Sequence, residues 1–210
     1  MVTKVKEDMI LSREKLKEIF GVDYYDGSMI HNRFAYKVFR DKVIPIGNIM
    51  VFRSPTIVEK EFMIDLEDVI SGDYIYSDDM INICYELPMT NLYGGVCFQR
   101  LFCTLIGDIL GQTIDAEVVL EGDDIFVHKE HKQGGIIQPS GKASVSIVGE
   151  KNGAILGHTG INITAGKKAP AFAYSTNMTD DEAELFMKTV IQAFYMTSQD
   201  IFQATTKIIL

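Results

Sequence analysis

The sequence predicts an α+β domain in which a mostly antiparallel or mixed central sheet carries helices packed on it. Three observations lead to this. Strand-forming runs come in groups rather than alternating one for one with helices, which argues against a series of βαβ units. Asn152-Gly153 lies between two apolar runs, and both residues accept the positive φ of a tight hairpin. Two helical patterns, one central and one C-terminal, have apolar faces broad enough to cover a sheet.

Taken in order, Ser12 to Phe20 reads as a short helix, capped by Ser12 and stopped by Gly21. Asp26-Gly27-Ser28 opens a second helical pattern, with Ile30, Phe34 and Val38 at four-residue spacing. Ile44 to Phe52, Ile57 to Leu66 and Met80 to Leu87 read as strands, because β-branched and aromatic residues cluster there. Val96 to Leu110 is the clearest helix, ended by Gly111. Four strands are expected next: Ile114 to Leu120, Asp124 to His128, Lys142 to Val148 and Ala154 to Thr164. Lys129 to Gly141 reads as a surface loop. Thr179 and Glu182 form a capping box that starts the last helix. Residues 1–21 are expected to form an N-terminal helical extension, and 22–210 a single domain.

A chain of 210 residues with 47% hydrophobic and 23% charged residues can bury a large core without disulfides or metals. No run approaches eighteen apolar residues, so no membrane span is expected, and Met1 to Asp8 lacks the apolar stretch of a secretion signal. Three cysteines, Cys84, Cys97 and Cys103, make no disulfide framework, and a cytoplasmic location is the reading that follows. Twenty basic against twenty-nine acidic residues oppose a nucleic-acid partner, which is held by counterion release from lysine and arginine. Oligomeric state is left open.

Gly135 to Lys142 fails as a phosphate-binding P-loop: five residues separate the glycines, and Ala143 replaces the metal-binding hydroxyl. His128 and His131 lack the spacing of a zinc motif, and nothing distinguishes His31. The informative stretch runs from Gly122 to Ile163. Asp123-Asp124 opens one strand, Lys142 opens the next, and a third holds His158 and Asn162. If these strands are neighbours, the carboxylates could hold Mg²⁺ and the lysine could neutralise a phosphate or a carboxylate. Each residue also has a plain structural reading, as a turn, a solvated strand start or a core hydrogen-bonding group.

The run Gly122-Asp123-Asp124-Ile125-Phe126, then Gly141-Lys142, then Gly160-Ile161-Asn162-Ile163 resembles the central region of biotin–protein and lipoate–protein ligases. A closer resemblance is to the small prokaryotic domain-of-unknown-function family 366, covering most of the chain after residue 22. It includes Tyr25-Asp26-Gly27-Ser28, Val51-Phe52-Arg53, Asp65-Leu66-Glu67-Asp68 and Asp78-Asp79-Met80. That family resembles the class II aminoacyl-tRNA synthetase and biotin/lipoate ligase superfamily, and the resemblance implies the same fold.

The resemblance also implies an ATP- and Mg²⁺-dependent ligase or acyltransferase that activates a small carboxylic acid as an acyl-adenylate. Lys142 would be the electrostatic anchor; His158 is read as a proton carrier because histidine alone titrates near neutrality without perturbation. Asp124 would hold the metal, and Arg53, Asp79, Asp123 and Asn162 would contact the cofactor. The alternative is a module on the same fold that binds a nucleotide or acyl ligand without chemistry. The sequence departs from the ligases in lacking their Gly-Arg-rich and triple-glycine loops, and in placing Asp123 where they usually carry Asn.

Overall fold

Ala143 belongs to two sheets at once. Its N–H donates to the carbonyl of Ile125 at 2.8 Å, and its own carbonyl accepts from the N–H of Asn162 at 2.9 Å. The computed structural model describes residues 7–31, 33–128 and 141–208. The loop expected at Lys129 to Gly141, with His131, lies outside the described residues except for Gly141.

The larger sheet has five strands. They are β1 (Ile10–Leu11), β2 (Asn48–Val58), β3 (Ile75–Leu87), β7 (Ser144–Lys151) and β8 (Ala154–Thr164), in the order β1-β2-β3-β8-β7. The β1–β2 pair is parallel and the others are antiparallel, giving the mixed sheet that the sequence predicts. A smaller antiparallel sheet holds β4 (Glu117–Glu121), β5 (Asp124–His128) and β6 (Gly141–Lys142). The helices are α1 (Arg13–Phe20), α2 (Ser28–His31), α3 (Ala35–Phe39), α4 (Leu66–Ser71), α5 (Leu92–Ile114) and α6 (Asp180–Thr205). No helix among the described residues is long and apolar enough to cross a membrane.

Each face of the larger sheet has its own cover. Odd-numbered β3 residues meet α5 and α6: the Tyr85 ring packs on Phe98, Phe102 and Phe194 with centroids 5.6–6.2 Å apart. Gly157 on neighbouring β8 makes room for that ring, since a Cβ there would lie 2.0 Å from it. Even-numbered residues face the N-terminal helices. Glu86 is buried there, accepts from the Phe34 and Ala35 N–H groups, and pairs with Arg33. Met9, Leu11 and Leu16 are buried in the same core, so the segment before residue 22 packs with the rest.

Several boundaries differ from the sequence reading for identifiable reasons. The strands expected at Ile44 to Phe52 and Ile57 to Leu66 are one strand, β2, which crosses Pro55 with a register shift between Ser54 and Thr56. A proline is tolerated there because its carbonyl is used instead, accepting from Tyr25 N–H at 3.0 Å. The end of the second run is helical: Asp65 caps α4 by accepting from Glu67 N–H. The central helix is longer than Val96 to Leu110. Asn91 caps its start, and its end is Asp115 in the left-handed region at φ 48°. Gly111 does not stop it, because there the missing side chain admits the Ala116 carbonyl. The strand expected from Lys142 is split at Ala143. The 152–153 hairpin, the Asp124–His128 and Ala154–Thr164 strands and the capping box at Thr179 stand as predicted.

Candidate functional site

Lys142 is fixed at both ends. Its N–H donates to the Phe172 carbonyl and its carbonyl accepts from Tyr174 N–H, each at 2.9 Å, so the short strand β6 is clamped against residues 172–174. Its ammonium Nζ reaches Asp124 Oδ1 at 2.8 Å. Asp124 starts β5 directly after the Gly122 turn, where φ is 68°.

Asp123 points the other way, towards α5. Its Oδ1 pairs with Arg100 Nη1 at 2.9 Å, and its Oδ2 accepts from Gln99 Nε2 at 2.7 Å. Burial pushes its pKa up, and the Arg100 charge offsets part of that rise. Gln99 also donates to Ser146 Oγ at 2.9 Å, tying α5, the β4–β5 turn and β7 together. Gln99 and Arg100 were missed from sequence. Their signal is a polar pair inside the otherwise apolar pattern of Val96 to Leu110.

His158 lies on the even face of β8, 2% exposed. Its Nε2 is 2.9 Å from Asn82 Oδ1, which also accepts from Thr56 Oγ1 at 3.1 Å. The Asn82 amide nitrogen donates to Ser54 Oγ and to the Met80 carbonyl. That arrangement assigns Asn82 Oδ1 as acceptor, so the imidazole proton is on Nε2. Tyr25 stacks on the ring with centroids 3.8 Å apart and planes 12° apart. Tyr25 is set there by a backbone bridge to β2 on either side of Thr56. Burial pulls the His158 pKa down to about 3. The imidazole is therefore neutral throughout the physiological range, in contrast to the near-neutral titration expected of an exposed histidine.

Asn162 is four residues further along the same face. Its backbone joins Ala143 and Thr176, and its buried side-chain Oδ1 has no hydrogen-bond partner among the described residues. Such an acceptor is uncommon in a folded interior.

Asp123, Asp124, Lys142, His158 and Asn162 line one cleft of about 410 Å³. One wall is apolar, built from Ile30, Val58, Phe62, Met63, Ile75 and Ile147. The lining also carries Asp65, Glu67, Asp68 and Asp73, from α4 and its flanks. Lys142 is the one lysine or arginine among the described lining residues.

Arg53 and Asp79 are elsewhere. Arg53 holds Asp79 through Nε and Nη2 at 2.6–3.0 Å, and its Nη1 reaches Asp180, the first residue of α6, at 2.6 Å. Neither Arg53 nor Asp79 lines the cleft. The geometry accounts for this pair as a tie between the sheet and the α6 N-terminus, where acidic groups are favoured.

A family model described as a domain of unknown function, DUF366, matches residues 16–209. The chain belongs to the DUF366 family. No curated protein matches it significantly. Among solved structures, this DUF366 chain is similar to a protein of unknown function from Pyrococcus horikoshi. The TM-score is 0.74 at 24% identity, covering 89% of this chain and 93% of that one. It is also similar to P. falciparum LipL1 in complex with lipoate, with a TM-score of 0.49 at 13% identity over 80% of this chain. It spans about half of that longer protein, 54%. A biotin protein ligase mutant from Aquifex aeolicus in complex with biotin gives a TM-score of 0.41 at 12% identity, covering 68% and 59% of the two chains.

Proposed function

We propose that the DUF366 chain is an ATP-dependent ligase or acyltransferase that takes a small carboxylic acid in the cleft through Lys142. One observation carries this reading: a clamped lysine, the one base among the described lining residues, shares with apolar side chains a cleft of about 410 Å³, a size suited to a small molecule. The apolar wall would take the hydrocarbon part of the acid and the ammonium its carboxylate. During activation the carboxylate attacks the nucleotide α-phosphate and pyrophosphate leaves. A fixed cation beside that phosphate offsets the charge that develops on it.

Magnesium is the metal that such a nucleotide brings. Asp124 suits it, as a hard carboxylate that lines the cleft with Oδ1 on Lys142. Among the described residues no three His, Cys, Asp or Glu side chains gather for a metal. Magnesium would accordingly take its remaining ligands from water and phosphate, as it commonly does.

The second reading is a binding module without turnover. It is favoured by two engaged groups: both Asp123 oxygens are used by α5, and the His158 proton is held by Asn82.

The test is pyrophosphate release from ATP and Mg²⁺ with a panel of aliphatic and aromatic carboxylic acids. The enzyme reading expects release with at least one acid, reduced a hundredfold or more in kcat/KM by Lys142→Ala. Ligand-induced thermal stabilisation without release would establish the binding module instead. Unchanged release in Lys142→Ala would remove the role given to this lysine.

A further inference from the structure

Among the described residues the charge lining the cleft does not balance. Six carboxylates line it, from Asp65, Glu67, Asp68, Asp73, Asp123 and Asp124, against one lysine. Two are neutralised within the chain, Asp123 by Arg100 and Asp124 by Lys142. The other four belong to the connection between β2 and β3, and none has an ion-pair partner among the described residues. Helix capping explains part of the cluster: Asp65 caps α4, and Glu67 and Asp68 in its first turn suit the helix dipole. It does not explain why a wall facing a substrate cleft carries four acids and no base.

A bare carboxylic acid bound at Lys142 would share the cleft with these carboxylates and be repelled. Asp68 is the most informative of them. It is half-buried, and its pKa is raised by burial first and then by Asp65, while the Lys142 charge across the cleft pulls it back. Lys142 and Asp68 are thus close enough to feel each other, without an ion pair between them. Asn162 adds an independent observation on the same cleft: a buried oxygen acceptor that no described residue satisfies. Its match is an N–H or O–H donor. A metal ion is a poor match to the acidic wall, because no three such side chains converge there among the described residues.

We infer that the acid bound at Lys142 carries a protonated amine on the same molecule, close to its carboxylate, with an apolar side chain for the wall of Ile30, Val58 and Phe62. The amine donates to Asn162 Oδ1 and lies in the field of Asp68. The acidic lining then attracts the substrate instead of repelling it. This inference rests on the preceding proposal for the carboxylate and adds the second charge.

Matched sets of ligands separate the two ideas. L-leucine, 4-methylpentanoate and 3-methylbutylamine share one skeleton and differ only in which charges they keep. L-phenylalanine, 3-phenylpropanoate and 2-phenylethylamine do the same with an aromatic side chain. Titration calorimetry on the full chain is expected to show one of the two amino acids binding at least tenfold more tightly than its own acid and its own amine. Asp68→Asn, a half-exposed change that keeps the shape of the side chain, is expected to reduce that advantage at least threefold, by weakening the amino acid and relieving the repulsion on the amine-free acid.

Equal or tighter binding of the amine-free acid overturns the inference and leaves the Lys142 carboxylate site standing. So does an amino-acid preference that Asp68→Asn and Asn162→Ala both leave intact. Failure of both acids and both amino acids to bind, or binding that Lys142→Ala does not weaken, removes the carboxylate site itself and the inference with it.

Discussion

Arg53 and His158 lie on opposite faces of one sheet. Arg53 is in register with Ile81, and through it with Ile161, on the side covered by α5 and α6. His158 is in register with Cys84 on the other side, where Tyr25 stacks on it. A ligand in the cleft reaches His158 and not Arg53. Arg53→Ala is therefore expected to leave ligand affinity within twofold. It should lower stability by about 1 kcal/mol, since it removes a part-exposed but bidentate ion pair with Asp79. Urea denaturation and titration calorimetry on the same variant check both halves.

The buried imidazole makes stability depend on pH. The folded pKa of His158 lies near 3, below the ordinary value of 6.5, so between these limits the unfolded chain binds the extra proton. Stability from this group is complete above about pH 6.5 and is lost as pH falls. From pH 7 to pH 5 the loss should be about 2 kcal/mol. His158→Gln, which cannot titrate, should remove that part of the slope in urea melts run at the two pH values. A slope unchanged by the substitution would show that other groups carry it.

Arg100 acts on the cleft through Asp123. It holds the carboxylate that precedes Asp124, and so helps to fix the turn from which Asp124 meets Lys142. Arg100→Ala leaves a half-buried Asp123 without its base. It is expected to cost about 1–2 kcal/mol in stability and to weaken ligand binding several-fold. A positioning role differs from a general loss of packing in its rescue. Arg100→Lys should recover most of the stability, whereas Arg100→Met, with a similar apolar stem, should not.

Gly157 gives a test of packing alone. A methyl group there would lie 2.0–2.4 Å from atoms of the Tyr85 ring, in the aromatic cluster under α5 and α6. Gly157→Ala is expected to lower the stability by about 1–3 kcal/mol through overpacking. Gly153→Ala, where a Cβ meets nothing within 4 Å, faces only its left-handed φ of 71°. The thermal midpoint of the Gly157 variant should therefore fall further.

The parts of the fold that were legible in the sequence are those fixed by local chemistry. Asn152-Gly153 dictates its hairpin, and Thr179 with Glu182 dictates the start of α6. The gathering of Asp124, Lys142, His158 and Asn162 was an expectation from strand order, and these residues do line one cleft. What escaped was set by tertiary contacts. The face on which Arg53 points depends on the register of β2 against β3, which nothing local specifies. The apolar run after Ile57 carries β-forming residues, yet the cap at Asp65 turns its end into helix. Asn82 and Tyr25 gain their roles only because β3 and a distant bridge bring them to His158.

The double attachment of Ala143 has a mechanical consequence. With its N–H committed to the smaller sheet and its carbonyl to the larger, neither layer can shear past the other without losing a backbone bond at this point. A pull on the neighbouring lysine is passed through one peptide unit to the strand that carries Asn162 and His158. The parts of the pocket built from the two sheets are thus coupled through a single residue.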